Sequence, residues 1–324
     1  MIGPTQVGRS GGRIGVGETR HVPVLVEEVL GFLEPRPGGR YLDLTLGGGG
    51  HARKVLERAS GCRLIGVDRD GATLERTAVA MREFGSRFTA LHARFDRAEE
   101  AGAAAGAEPF CGSFDGVLLD LGISSDQLDE AERGFSFERD GELDMRMDRS
   151  VGESAADLLG HISERELAEL LFRFGDERRS FAIARTIVER RRHAPLRRTS
   201  ELAALVERVA GGRRGERLHP ATRTFQALRI AVNEELGCLE RVLPQALRWL
   251  APAGRLAVIS FHSGEDQRVK RFVRDAAKRG LLEPLHKKVI EASPDEVAAN
   301  PRARSAKLRA ARRLAGPTEE LNRP

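Results

Sequence analysis

From Tyr41 onward, short apolar runs of strand length alternate with longer stretches in which apolar positions recur at helical spacing. The runs are residues 41–46, 63–68, Phe88–His92 and Phe114-Asp-Gly-Val-Leu-Leu-Asp120. Helical spacing follows the glycines after Leu46, returns over 71–84, and precedes the first run in His21-Val-Pro-Val-Leu-Val-Glu-Glu-Val-Leu30, where it predicts a helix after Pro23. This βαβα rhythm predicts a parallel, doubly wound sheet that binds ligands at the C-terminal ends of its strands. The rhythm stops at Ile123. From there to about Pro220 the chain carries a polar loop and then helical sequence only, with a capping box at Ser163-x-x-Glu166 and helices over 185–192 and 201–209 divided by Pro195. One long helix is then predicted from Phe225, Leu228, Val232, Leu236, Leu239 and Leu243, a turn from Pro252-Ala-Gly254, and a buried strand from Arg255 to His262. The expected organisation is an N-terminal arm (1–20) too poor in apolar residues to pack, a sheet domain begun by 21–127 and completed by 221–324 with a basic C-terminal tail, and a helical insert over 128–220.

Composition narrows the class. With 324 residues, 40% hydrophobic and 31% charged, a large core can form beneath a heavily charged surface. No apolar run approaches the roughly 18 residues of a membrane helix, and no cleavable leader opens the chain, so a cytoplasmic protein without membrane contact is expected. Cys62, Cys111 and Cys238 are widely separated and read as buried thiols, and the eight histidines form no H-x-x-x-H pair, so no metal site is expected. Net charge is +5, but arginines cluster in the second half at 178–179, 190–192, 197–198, 213–214 and 302–313. These clusters suit a polyanion such as nucleic acid, although each alone also suits a solvated helix face paired with glutamates.

The chemistry concentrates around Thr45-Leu-Gly-Gly-Gly-Gly-His51. Gly47-x-Gly49-x-x-Ala52 satisfies the dinucleotide fingerprint, and Asp68 stands where a ribose-binding carboxylate belongs. Asp43, inside the strand four residues before the first glycine, and Asp120, which ends another strand beside Gly122, change that reading. Three converging carboxylates repel a pyrophosphate but suit a sulfonium, an ammonium group, ribose hydroxyls and an adenine amine. Asp43 and Asp120 also fit a plainer role, capping the turns that follow them.

At this point longer motifs become recognisable: Thr45–His51, Asp68-Arg-Asp70, Leu118-Leu-Asp-Leu-Gly-Ile-Ser-Ser125, Arg133-Gly-Phe-Ser-Phe137, Leu143-Asp-Met-Arg-Met-Asp148, His219-Pro-Ala-Thr-Arg-Thr-Phe-Gln226, Phe261-His-Ser263 and the stretch Asn300–Arg309. In this order, from His21 to Arg309, the chain resembles the MraW/RsmH family. The resemblance implies an α/β, Rossmann-like class I S-adenosylmethionine-dependent methyltransferase fold with an inserted all-helical domain. It also implies methylation of the N4 amine of a cytidine in the decoding region of small-subunit (16S) ribosomal RNA. By the same resemblance S-adenosyl-L-methionine is the cofactor, held by Gly49, Gly50, His51, Asp68, Phe95, Asp120 and Gln127. The partner is small-subunit ribosomal RNA, expected within the small ribosomal subunit, and a homodimer is compatible with the sequence.

The cytosine amine is a weak nucleophile because its lone pair is delocalised into the ring, so the chemistry asks for an acceptor that orients an N–H. Asp120 is the candidate, and His262, just past the last strand, could face the same pocket. The prolines and aromatic that many amine methyltransferases carry after this carboxylate are absent. A base-stacking residue must therefore come from elsewhere, with Phe135 and Phe137 available for stacking or for core packing. Gly264 departs from the leucine usual in the family. Competing readings are a nicotinamide oxidoreductase, an amine methyltransferase with another substrate, and a non-catalytic RNA-binding or ribosome-assembly factor.

Overall fold

The protein is described from a computed structural model that covers residues 23–212 and 219–315. The expected N-terminal arm, His21 and Arg213-Arg214 lie outside the described residues. The first half contains α1 (Val26–Leu33), β1 (Arg40–Asp43), α2 (Gly50–Arg58), β2 (Arg63–Asp68), α3 (Gly71–Ala80), β3 (Phe88–His92), α4 (Ala98–Ala104), β4 (Phe114–Asp120) and α5 (Ser125–Asp129). A helical unit follows with α6 (Ala155–His161), α7 (Glu164–Gly175), α8 (Ser180–Arg191), α9 (Thr199–Ala210) and α10 (Thr222–Val232). The chain then returns through α11 (Glu235–Trp249), β5 (Leu250–Ser260), α12 (Ser263–Lys278), β6 (Leu282–Pro284), β7 (Ile290–Glu291), α13 (Pro294–Ala299) and β8 (Lys307–Arg313).

The strands form one sheet in the order β3-β2-β1-β4-β5-β8-β6, with β7 added to β8. β1 to β5 are mutually parallel, and β8 runs antiparallel to β5. Both faces are covered, so successive residues of the central strands enter opposite cores: Val117, Leu119, Leu256 and Val258 pack under α4, α11 and α12, whereas Leu118, Ala257 and Ile259 pack under α1 and α2. This explains why β4 and β5 read as continuous apolar runs rather than as alternating ones. The order of strands leaves the C-terminal ends of β1, β2 and β4 side by side, at the switch point where a doubly wound sheet binds its ligand.

The helical unit carries a third core of its own, built from Leu167, Leu171, Ile183, Ile187, Leu202 and Phe225 among others. Capping boxes open α5 at Ser124, α6 at Ser154 and α7 at Ser163.

Four features differ from the sequence expectation. Residues 307–313, expected in a basic tail, form an internal strand in which Leu308, Ala310 and Ala311 are buried while Arg309 pairs with Asp266 and Arg312 with Glu283. The single helix expected across 225–243 breaks between α10 and α11, where Glu234 takes a left-handed φ of 53°. α10 contributes Phe225, Ala227 and Leu228 to the core of the helical unit. Pro252-Ala-Gly254 is not a turn before the strand but a bulge within β5, where the register against β4 shifts and Ala253 has φ 65°. Of the three thiols expected to be buried, Cys111 is exposed.

Candidate active site

A cleft of about 1280 Å³, open solvent at its mouth included, lies over the ends of β1, β2 and β4. Gly47, Gly48, Gly50, His51, Asp68, Phe95, Asp120 and Gln127 line it. The glycine turn is shaped by contacts that leave no room for side chains. Gly49 has φ 75°, and a Cβ there would lie 2.8 Å from Thr77 Cγ2; a Cβ on Gly50 would lie 2.9 Å from Pro23 Cγ. Gly49 itself is buried beneath the turn and does not line the cleft, so its part is to start α2. The consequence is a stretch of bare backbone at a helix N-terminus, which suits a carboxylate.

Asp68, at the end of β2, accepts from Gly47 N (2.7 Å) through Oδ2 and from Asp70 N (2.8 Å) through Oδ1. Burial raises its pKa above the usual carboxylate value despite those two hydrogen bonds. Each oxygen has a further lone pair and Asp68 lines the cleft, so the carboxylate can accept from two vicinal hydroxyls. Phe95 begins a 3-10 turn after β3, and its half-buried ring forms a wall of the cleft. Gln127 is buried, closes the α5 capping box and donates from Nε2 to Asp70 Oδ2 at 2.9 Å.

At the end of β4, the Asp120 backbone N–H donates to Thr45 Oγ1 at 2.6 Å, which aims its carboxylate into the cleft. Asp120 Oδ2 stands 3.5 Å from His51 Nε2, and Asp120 Oδ1 is buried with no hydrogen-bond partner. An orphaned buried carboxylate oxygen is costly unless a ligand donor answers it. Asp43 lies behind this pair, 2% exposed, and holds Thr45 N at 3.1 Å. It is not among the residues that line the cleft, as Asp68 and Asp120 are, and its charge acts on His51. Burial raises Asp43 to about 7. Burial works to lower His51, but Asp120 and Asp43 outweigh it, and the imidazole is raised above its ordinary value.

His262 is not at the cleft surface. It sits 3.3 Å from Glu265 Oε1, behind Phe261, whose backbone N–H donates to Glu265 Oε2 at 2.8 Å. A Cβ at Gly264 would already lie 3.1 Å from His262 Nδ1, so glycine leaves the ring its space. Phe135 is buried in the core of the helical unit and Phe137 packs on His219 and Phe225, at 4.5 and 4.9 Å between centroids. Neither faces the cleft, and the aromatic that does, besides Phe95, is Phe261.

The sequence reading missed Phe261, Glu235 and Glu265 as lining residues. A pattern was present, because Phe261-His-Ser and Glu265 open α12 together, but Glu235 had no local signal. Glu235, His262 and Glu265 bring ligand-type atoms within 4.8 Å of one another. Arg229 pairs bidentately with Glu235 beside this group, at 2.9 Å for both bonds, and offsets its charge. No helix among the described residues is long and apolar enough to cross a membrane.

Residues 18–314 match the model of the MraW methylase family. Curated relatives named ribosomal RNA small subunit methyltransferase H include those of Xanthobacter autotrophicus (49% identical, covering 93% of this chain and 89% of that one), a Cyanothece species (48%; 92% and 96%) and Thermomicrobium roseum (46%; 92% and 94%). Match and cleft agree: a doubly wound sheet whose ligand edge carries a bare-backbone glycine turn and carboxylates after β2 and β4 suits a sulfonium cofactor. The chain belongs to the MraW methylase family and is an S-adenosylmethionine-dependent methyltransferase.

Proposed function

We propose that this enzyme methylates the N4 amine of a specific cytidine in the decoding region of small-subunit ribosomal RNA, acting on RNA held within the small subunit. The observation that carries the chemical part is Asp120 Oδ1, a buried and unpartnered acceptor beside His51 at the donor cleft. The polymer class rests on relatives of nearly half identity, whose shared name specifies ribosomal RNA of the small subunit.

Bound S-adenosylmethionine supplies an electrophilic methyl group on a sulfonium. Asp68 would accept from the ribose hydroxyls, Phe95 would lie against the adenine, Gln127 would close the adenosine end, and the backbone N–H groups of Gly48 and Gly50 would meet the methionine carboxylate. Asp120 accepts an N–H of the cytosine amine and so aligns the nitrogen lone pair with the methyl carbon. On methyl transfer to the nitrogen, Asp120 would take up the proton that the amine sheds, and His51, 3.5 Å from Asp120 Oδ2, would share the charge. Phe261 offers the cytosine a face to stack on. His262 acts through Glu265, fixing Phe261 and the start of α12, rather than on the base.

The RNA reading gains support from the helical unit. Arg190 and Arg191 bond backbone carbonyls at the C-terminal ends of helices, and Arg198 pairs with Asp140. By contrast, Arg173, Arg178, Arg185 and Arg192 are exposed and form no ion pair among the described residues. Phe172 and Phe181, 59% and 68% exposed, flank the same α7–α8 corner as the first three. Interleaved cations and open aromatic faces fit phosphates and unstacked bases.

The test combines titration with transfer. S-adenosylhomocysteine is expected to bind and nicotinamide dinucleotides are not, and labelled S-adenosylmethionine is expected to mark RNA in small subunits that lack the modification. Tight nicotinamide binding, or failure to label subunits under conditions where the cofactor binds, refutes the reading.

A further inference from the structure

Two stretches of the helical unit that take no part in the chemistry above, Arg133–Phe137 and Leu143–Asp148, are fastened to the donor cleft through one buried ion pair. Arg133 Nη1 lies 2.7 Å from Asp70 Oδ2, with side chains 7% and 4% exposed. Asp70 Oδ2 also accepts from Gln127 Nε2 at 2.9 Å, Asp70 Oδ1 caps α3 at Thr73 N, and Asp70 N–H donates to Asp68 Oδ1 at 2.8 Å. Both cofactor-facing residues Asp68 and Gln127 are therefore one hydrogen bond away from Asp70.

The other arm of the guanidinium reaches the opposite way. Arg133 Nη2 donates to the carbonyls of Arg146 (3.2 Å) and Met147 (2.9 Å), and Met147 lines the cleft. Met147 N–H donates to Asn233 Oδ1 (2.8 Å), and Asn233 Nδ2 donates to the Met145 carbonyl (2.7 Å). Arg69 Nη1 donates to the Asn233 carbonyl (2.9 Å), which brings the path back to the end of β2. The result is a closed ring through donor strand, helical unit and the α10–α11 break. The loop cannot slip within this ring. Gly134 has φ 73°, and a Cβ there would lie 2.7 Å from Asp144 N, while a Cβ on Gly141 would run into the Ala131 carbonyl.

We propose that Asp70 and Arg133 are positioning residues, a joint that couples filling of the donor cleft to placement of the helical unit over it. This rests on the proposed function, because it takes the helical unit to hold the RNA. A ligand that engages Asp68 and Gln127 fixes Asp70, and through Arg133 fixes the loop that carries Met147. By linkage, RNA that seats the helical unit must then tighten cofactor binding by the same factor. A planar fork with donors on two sides is required: lysine can meet Asp70 but cannot also hold two carbonyls.

The experiment measures the affinity of the full-length enzyme for labelled S-adenosylhomocysteine with and without saturating small subunits, for the native enzyme and for Arg133→Lys. The native enzyme is expected to bind at least about fivefold tighter with subunits, within the usual range of such couplings. Arg133→Lys is expected to bring that ratio close to one and to lower kcat more than it changes KM for the cofactor. In parallel, hydrogen exchange on the native enzyme alone is expected to slow across residues 131–149 when S-adenosylhomocysteine is added, a readout that needs no variant. A native ratio of one, a ratio preserved in Arg133→Lys, or unchanged exchange across 131–149 overturns the joint. A native enzyme that binds no cofactor or labels no subunits refutes the proposed function instead.

Discussion

Replacing Asp43 by Asn tests the electrostatics of the site without touching the cleft surface. Asp43 is 2% exposed, and burial lifts its carboxyl from the usual 3.8 to about 7. The folded protein therefore holds this proton up to about pH 7, whereas the unfolded chain releases it near 3.8. Between those values folding takes up a proton, so the Asp43 contribution to stability falls as pH rises and levels off above about 7. The raised His51 acts in the same sense, since its contribution is complete below the ordinary histidine value of 6.5 and is lost as pH rises through its higher folded value. At about 1.4 kcal/mol per pH unit, the full Asp43 effect is about 4 kcal/mol, of which about 3 develops between pH 5 and 8. Asn keeps an acceptor for Thr45 N but never ionises. Asp43→Asn should therefore gain stability relative to the native protein as pH rises from 5 to 8, by up to that amount less the attraction it forgoes to His51. Urea unfolding at the two pH values, read from the fluorescence of the sole tryptophan, Trp249, buried in the sheet core, measures the difference. A difference that is flat with pH, or that falls, refutes the assignment of Asp43 as a buried carboxyl held neutral below 7.

Other outcomes are equally specific. Asp68→Ala should weaken S-adenosylhomocysteine binding by about 100-fold or more in titration calorimetry, because its two hydrogen bonds to a charged acceptor are each worth about 1.5–3 kcal/mol. Glu235→Ala takes the bidentate partner from the largely buried Arg229, leaving it the more distant Glu265, and should cost about 3 kcal/mol in urea unfolding, with much of the loss recovered when Arg229 is changed to Met in the same chain. The double variant Arg178→Ala, Arg185→Ala should raise KM for small subunits and flatten the salt dependence of binding by about two in log–log slope, with little change in kcat.

The parallel strands and their ligand edge were legible because β1, β2 and β4 are buried on both faces and end in residues that only a turn or a ligand requires. The basic C-terminal stretch was not, since Lys-Leu-Arg-Ala-Ala-Arg-Arg313 looks like a tail until Asp266 and Glu283 are seen opposite Arg309 and Arg312. The α10–α11 break was hidden for a related reason. Helical spacing continues across it, and the signal for Glu234 to turn left-handed is tertiary, namely the bonds of Asn233 to Met145 and Met147. Within the site, Asp68, Asp120 and the glycines could be read from strand ends and backbone freedom. Phe135 and Phe137 were ambiguous because their polar surroundings in sequence fold over a separate helical core. Asp70 and Arg133 stood in recognisable motifs, yet their roles required knowing that 63 residues of separation close to 2.7 Å.

The proposed reaction is defined by the atom that receives the methyl group. Small subunits lacking the modification, incubated with the enzyme and isotopically labelled S-adenosylmethionine, can be digested to nucleosides and separated by mass spectrometry, alongside an Asp120→Ala reaction. Label on N4-methylcytidine from a single decoding-region site, largely lost in Asp120→Ala, is the predicted result. Label on cytosine C5 or on a ribose oxygen, or N4 label undiminished in Asp120→Ala, contradicts it.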